Sequence, residues 1–420
     1  MFQVTRLASV IALTGVAISA HATNGYFTHA TSVKAQGMAG VATALAHDSL
    51  TAAVNPAAIG NLSAKQQLDL GVTYFKPERE SRITGNGFGL DGSFDGNDTA
   101  GFWMPEVGFA RQHSDVLSYG VALYGNGGMN TDYGRNPFDP SNASGSAGVN
   151  LEQLFVTGTV AYRLNEQHVL GLGVTWVHQS FNAKGIQGFA MMSQDGGAVS
   201  NQGTDTSTGW GVKLGWQGEV AEGVTLGAAW SSEIKTDEFD RYKGLFAENG
   251  GFDIPQNYSA GVAWQVNPAL TLAADWQYIE YGSVRSIANE LAEGGPLGAD
   301  NGSGFGWNDI NVYKLGAQYE VQQGLTLRAG FSYADQPIPA SQTFFNILAP
   351  GVIQKHASLG ATYALNDNNA ISVAYTHAFE ETVRGNGSIP PGTPPAGFGG
   401  GEADITMFQN QLALGWQVKF

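Results

Sequence analysis

Apolar and polar residues alternate with a period of two from about Gln67 to the end of the chain. Leu270, Leu272, Ala274, Trp276 and Tyr278 stand against Thr271, Ala273, Asp275 and Gln277. Leu325, Leu327, Ala329, Phe331 and Tyr333 stand against Thr326, Arg328, Gly330, Ser332 and Ala334. At the end, Leu412, Leu414, Trp416, Val418 and Phe420 face away from Gln411, Ala413, Gly415, Gln417 and Lys419. Successive side chains of a strand point to opposite faces, so each run predicts a strand with one lipid-like face and one small or polar face. Strands of water-soluble sandwiches are shorter, usually ~5–6 residues. These runs reach about 9–15 residues, the length a tilted membrane strand needs.

The connectors alternate too. Short ones fall near His113–Val116, Asn165–Gln167, Ala221–Gly223, Asn267-Pro268, Gln322–Gly324 and Asn366–Asn368. Long ones, rich in Gly, Asn, Ser and Pro, fall near Pro77–Ala100, Asn126–Val149, Ala183–Thr204, Asp237–Ile254, Ser283–Gly306, Pro337–Ile353 and Thr382–Asp404. Six short and seven long connectors imply fourteen strands. An even count with short turns at one end and long loops at the other predicts an all-β fold, a transmembrane antiparallel β-barrel. Closure also removes the exposed edges that so many strands would otherwise leave. Trp216, Trp230, Trp264, Tyr281, Tyr363 and Trp416 lie at strand ends, where interfacial aromatic girdles belong.

Composition narrows the class. Only 13% of residues are charged and 58 of 420 are Gly, about half and twice the ordinary shares. A soluble enzyme of this length needs a more charged exterior. A formal charge of −16 gives no basic footprint for nucleic acid. The absence of Cys excludes disulfides and thiolate metal sites and is neutral about redox compartment. Residues 1–22 read as a cleaved signal peptide: Arg6, an apolar run from Leu7 to Ile18, then Ala20-His21-Ala22. Beyond them no apolar run approaches the ~20 residues of a spanning helix. An exported chain with such strands and a terminal Phe420 predicts a barrel of the Gram-negative cell outer membrane. Phe420 resembles the terminal signal read by the barrel assembly machinery.

Residues 23–65 break the alternation. Small residues recur through Gly37-Met38-Ala39-Gly40-Val41-Ala42-Thr43-Ala44, and Asn55-Pro56 reads as a turn or helix start. About forty residues are too few for an independent core, so the barrel lumen is their expected host.

Several motifs here resemble the FadL/TodX-type outer-membrane transporters of hydrophobic compounds. They are Asn24-Gly25-Tyr26-Phe27, Lys34-x-x-Gly37-Met38-x-Gly40, Asp48 and Asn55-Pro56-Ala57 in the N-terminal segment. Gly128-Met129-Asn130-Thr131-Asp132-Tyr133, Leu151-x-Gln153-Leu154, Gly306-Trp307-x-Asp309 and Pro337-Ile338-Pro339 follow in the same order. The resemblance implies a fourteen-stranded barrel over 66–420, plugged by an N-terminal hatch over 23–65. It also implies passive transport of long-chain fatty acids or hydrocarbons across the outer membrane, without a cofactor or metal, among outer-membrane lipids and lipopolysaccharide. Neither composition nor periodicity shows the ligand.

Candidate residues carry alternative readings. An apolar ligand gains about 25 cal/mol per Å² on leaving water, so apolar side chains in long polar loops suggest capture. These are Phe189, Met191 and Met192, then Met129, Tyr133, Phe344 and Phe345; otherwise they pack the loops over the barrel mouth. Lys34 and Asp48 read as an ion pair or a polar hatch anchor. The family's carboxylate ligands use basic lumen residues, whereas the matching strand here offers Asn308 and Val312. Lys314 and Arg328 are substitutes for a ligand head group, or ordinary lumen salt bridges. Pro105, Gly108 and Gly120 interrupt strands and, by the resemblance, mark a lateral opening; plain barrel curvature is the alternative. Catalysis finds no motif: no G-x-S-x-G elbow, H-E-x-x-H or P-loop occurs. The rival to a plugged carrier is a porin for polar solutes.

Overall fold

A computed structural model describes residues 24–420 apart from Glu293. The signal peptide expected over 1–22, and Thr23 of the hatch, lie outside the described residues. Strands run in chain order as β1 (Gln66–Thr84), β2 (Gly92–Asp95), β3 (Phe102–Gln112), β4 (Leu117–Tyr133), β5 (Ala147–Arg163), β6 (His168–Lys184), β7 (Asp205–Ala221) and β8 (Val224–Ser231). They continue as β9 (Asn257–Asn267), β10 (Leu270–Ile279), β11 (Ile310–Gln322), β12 (Leu325–Ala334), β13 (Lys355–Asn366), β14 (Asn369–Val383) and β15 (Glu402–Lys419). Neighbours in sequence are neighbours in space, and β15 pairs back onto β1 from Gln67–Lys419 to Thr84–Glu402. With β2 a short arm on β1, the wall is a closed antiparallel barrel of fourteen strands, the number the connectors imply.

The alternation becomes inside against outside. On β6, Leu170, Leu172 and Val174 are exposed on the outer face while Val169, Gly171, Gly173 and Thr175 turn inward. On β15, Leu412, Leu414 and Trp416 are exposed; Gln409, Gln411, Ala413 and Gln417 are buried. Trp264 and Tyr363 join this outer surface, but Tyr281 does not: it is fully buried beside Tyr26 and Trp307. Its phenol donates to the Asn24 carbonyl at 2.5 Å, so it serves the N-terminal segment rather than the membrane interface.

Residues 24–61 lie inside the wall. They hold one α-helical turn, α1 (Val33–Gln36), and two 3-10 turns, Ser49–Ala53 and Pro56–Asn61. Such pieces are too short to be stable alone; the wall supports them in two ways. Inward glycines let their backbones approach, as in the directly opposed pairs Gly171–Gly215, Gly227–Gly261 and Gly316–Gly330. A methyl group at these positions would overlap Pro56, Thr43 or Met38. Wall carboxylates also accept the segment's free amides. Asp69 takes Ser49 N–H at 2.9 Å, Glu106 takes Val33 N–H at 3.0 Å, and Asp275 takes Ala42 and Thr43 N–H at 2.8 Å each. Two of these amides open short helices, where unpaired donors need an acceptor.

Candidate functional site

The shortest ladder between barrel strands, the seam of the wall, is the one between β3 and β4. β3 pairs with β4 over six residues only, from Val107–Leu123 down to Gln112–Ser118. Above that level Phe102–Glu106 keep their ladder to β1 but have no partner on β4. Pro105 lies in this stretch, opposite Val72 of β1. The freed edge of β4 is covered by other chain. The tip of the N-terminal segment adds to it as a short strand: Phe27 bridges Gly127, Gly128 N–H donates to Tyr26 C=O at 3.0 Å, and Thr28 N–H donates to Asn126 C=O at 2.5 Å. Higher up, Asp132 exchanges backbone hydrogen bonds of 3.1 Å with Gly96 and Asp98. An edge left open in lipid would strand backbone groups without partners; here the N-terminal tip and a loop satisfy them.

Gly108 and Gly120 stand elsewhere than the expectation placed them. Both belong to the paired part of the seam, Gly108 opposite Ala122 and Gly120 opposite Ala110. A side chain at 108 would meet Ser49 and Leu50; one at 120 would meet Phe109 C=O and Ile59. They make room for the N-terminal segment below the gap. Gly108→Val therefore loosens the Ser49–Ala53 turn by overpacking, costing about 1–3 kcal/mol. Faster hydrogen exchange at Ser49–Ala53, with the barrel still heat-resistant, checks this; unchanged exchange contradicts it.

Behind the seam a narrow pocket is lined by Phe75, Pro77, Arg79, Met129, Asn130, Trp307, Pro350 and Met407. Met129 is inward and buried, and Tyr133 is buried with its hydroxyl on Ile347 C=O at 2.8 Å. Aromatic rings roof the barrel: Phe189 contacts Phe138, Phe345 and Phe398 at centroid distances of 5.1, 5.3 and 4.8 Å. Phe344 and Phe345 belong to the same cluster. The three loop residues read as a capture surface are thus split. Phe189 is fully buried, Met192 packs partly against the core, and Met191 is 66% exposed.

The N-terminal candidates are held in detail. Asn24 is buried with its side-chain amide unpartnered, and Phe27 packs edge-on against Tyr26 at 5.2 Å. Gly37 lies against Gly360. Asn55 starts its turn and also ties it to the wall: its Oδ1 caps Ala57 N–H at 3.0 Å, and its Nδ2 donates to Thr43 C=O at 2.8 Å and to Trp216 C=O on the wall at 3.0 Å. Pro56 follows as the first residue of its turn. Lys34 and Asp48 make no ion pair among the described residues; Lys34 donates to His47 C=O at 3.4 Å and Asp48 caps the Ser49 turn. Burial lowers the Lys34 ammonium, opposed by Asp48. Burial, then Asp69, raises the Asp48 carboxyl, opposed by Lys34.

The two head-group candidates are not brought together. Lys314 reaches Gly40 C=O at 3.4 Å and lines a cavity of about 60 Å³ of mixed character, with His29, Lys213, Asp275 and Gln277 beside Phe27, Val54 and Tyr124. Arg328 donates to Thr362 Oγ1 at 2.7 Å and does not line that cavity. Sequence reasoning passed over Asp69, Glu106 and Asp275, although a lone carboxylate on the inward phase of a strand is a readable signal.

A closed wall with an apolar exterior, a lumen filled by the chain's own N-terminal segment and a seam between neighbouring strands define a plugged outer-membrane barrel. Residues 13–389 match the family described as outer membrane protein transport protein (OMPP1/FadL/TodX), and the chain belongs to that family. It is a protein of the outer membrane. It is 25% identical to the long-chain fatty acid transport protein of Escherichia coli K12, over 82% of this chain and 84% of that one. It is 24% identical to outer membrane protein P1 of Haemophilus influenzae, over 80% and 81%. Among solved structures it is similar to a Pseudomonas aeruginosa FadL homologue, with a TM-score of 0.71 at 18% identity over 94% of this chain and 100% of that one. The Pseudomonas putida toluene transporter TodX follows at 0.68 and 16%, over 93% and 99%.

Proposed function

We propose that this barrel carries hydrophobic small molecules, fatty acids or hydrocarbons, passively across the outer membrane and releases them sideways through the seam between β3 and β4. The observation that carries the reading is the missing ladder above Val107–Leu123, covered by the N-terminal tip and, higher up, by the loop around Gly96–Asp98. The relatives' names, long-chain fatty acid transport protein and toluene transporter, support the ligand class. Lateral exit has a physical rationale: delivering a ten-carbon chain to the periplasm exposes apolar surface worth about 0.8 kcal/mol per CH₂, and delivery into lipid avoids that cost. Capture falls to the extracellular loops, where Met191 and Phe88 are exposed. Residues 23–65 act as the hatch, and residues 1–22 as the export signal. Phe420, exposed on the outer face at the strand end, is the contact for the barrel assembly machinery, and lipids and lipopolysaccharide surround the wall.

Reconstitution tests this against the porin reading. The protein in proteoliposomes should accelerate uptake of a fluorescent hydrophobic probe while passing almost no ion current. Steady ion conductance without probe uptake refutes the proposal.

A further inference from the structure

The lumen is filled a second time, by the loop between β12 and β13. Every residue of that loop from Gln342 to Ile353 is buried. A connecting loop ordinarily runs over the surface, because a buried one carries backbone groups that need partners. Here side chains supply them. The Thr131 and Tyr133 hydroxyls of β4 donate to Leu348 C=O at 2.9 Å and Ile347 C=O at 2.8 Å. Asn346 is fully buried and makes three contacts. Its Oδ1 accepts Trp307 Nε1–H at 2.5 Å, and its Nδ2 donates to Phe305 C=O at 2.6 Å and Gln342 C=O at 2.7 Å.

This segment stands between two parts of the transport path. On one side Phe344 and Phe345 pack onto Phe189 of the aromatic roof, at 6.1 and 5.3 Å between centroids. On the other side Ala349, Pro350 and Gly351 line the narrow pocket behind the seam. That pocket has about 10 Å³ of free space, no more than one water occupies, so a ligand enters only if a lining element moves. Gly351 lies against the Trp307 ring and against Gly25 of the N-terminal tip. We infer that Gln342–Ile353 is a second gate, set between the capture loops and the seam, with Asn346 as its latch. This rests on the transport reading above and adds a step to it. The segment is suited to move because it adds no rung to the wall among the described residues. Its only regular pieces there are 3-10 turns, and its ties to β4 are single side-chain hydrogen bonds, each weak in net terms. Its side chains are largely apolar, so a hydrocarbon sliding past replaces one apolar contact with another and wets none of them.

A single thiol reports the gate. The chain has no Cys, and Ala349 is 3% exposed, so Ala349→Cys in nanodiscs should react slowly with a water-soluble maleimide. Dodecane should speed that reaction about tenfold. Asn346→Ala leaves Trp307 Nε1–H, Phe305 C=O and Gln342 C=O without their partner, and should give a similar about tenfold rise without dodecane, the loss of one or two net hydrogen bonds. In proteoliposomes Asn346→Ala should also raise dodecane uptake when combined with Gly127→Val, whose tip no longer closes the seam. Should Asn346→Ala not give a heat-resistant barrel, Asn346→Asp keeps the acceptor for Trp307, removes both donations, and is expected to act alike. A thiol that dodecane leaves protected, or a loosened segment that leaves uptake in the Gly127→Val background unchanged, makes Gln342–Ile353 a static plug and overturns the gate. Either result with wild-type dodecane uptake intact refutes the gate alone, whereas no wild-type uptake refutes the transport reading.

Discussion

Gly127→Val should unseat the N-terminal tip and leave the seam open. Gly127 lies where the tip crosses β4, and any side chain there would overlap the Tyr26 carbonyl. The Gly128–Tyr26 and Thr28–Asn126 hydrogen bonds, which hold Phe27 against the strand, are then lost together. Two backbone hydrogen bonds contribute about 2 kcal/mol, which shifts the closed-to-open balance about thirtyfold. The rest of the segment stays in place, since Asp69, Asp275 and Asn55 anchor it well away from the tip. Uptake of a neutral hydrophobic probe in proteoliposomes should rise strongly, and a fluorophore on a cysteine placed at residue 28 should become accessible. The chain has no Cys of its own, so that label is unique. A label that stays protected, with unchanged uptake, removes the tip from the mechanism.

Phe189→Ala and Met191→Ser should behave as opposites, although three residues of one loop invite a single role. Phe189 is fully buried among Phe138, Phe345 and Phe398. Its truncation leaves a cavity in the aromatic roof and costs about 3–5 kcal/mol of local packing. The wall does not depend on that cluster, so the barrel should remain heat-resistant while the extracellular loops become readily cleaved by added protease. Met191 projects from the same turn with most of its surface in solvent, and Met191→Ser should leave loop cleavage unchanged. If Phe189→Ala loops resist protease as wild type does, the roof is held by something other than this cluster.

The wall was legible because each strand repeats one physical instruction. Leu412, Leu414 and Trp416 meet lipid and Gln409, Gln411 and Gln417 meet the lumen, and the period of two demands that arrangement of any membrane strand. Connector lengths then set the strand count and the ends of the barrel. The N-terminal segment was legible as something that cannot fold alone, and Asn55-Pro56 as a turn start. Tyr281 shows the limit: an aromatic residue at a strand end belongs to a membrane girdle or to the lumen according to which face it takes, and at the start of a loop the alternation no longer decides.

The site was less legible, because it is made of contacts between distant parts of the chain. Pro105 lies in the stretch of β3 without a β4 partner, whereas Gly108 and Gly120 belong to intact rungs below it. A glycine in a strand announces a close approach without naming the partner, and here the partner is the N-terminal segment. The seam itself depends on where β3 stops pairing with β4, a matter of register between two strands and a tip about a hundred residues earlier in sequence. Arg79 is similar: alternation places it on the inward face, yet its hydrogen-bond partners come from Asn97, Thr99 and Asn130. Local sequence therefore determined what is periodic: strands, faces, closure and the need for a guest in the lumen. Tertiary structure alone decided which amides the wall carboxylates cap and where the ladder fails, because each follows from the meeting of residues far apart along the chain.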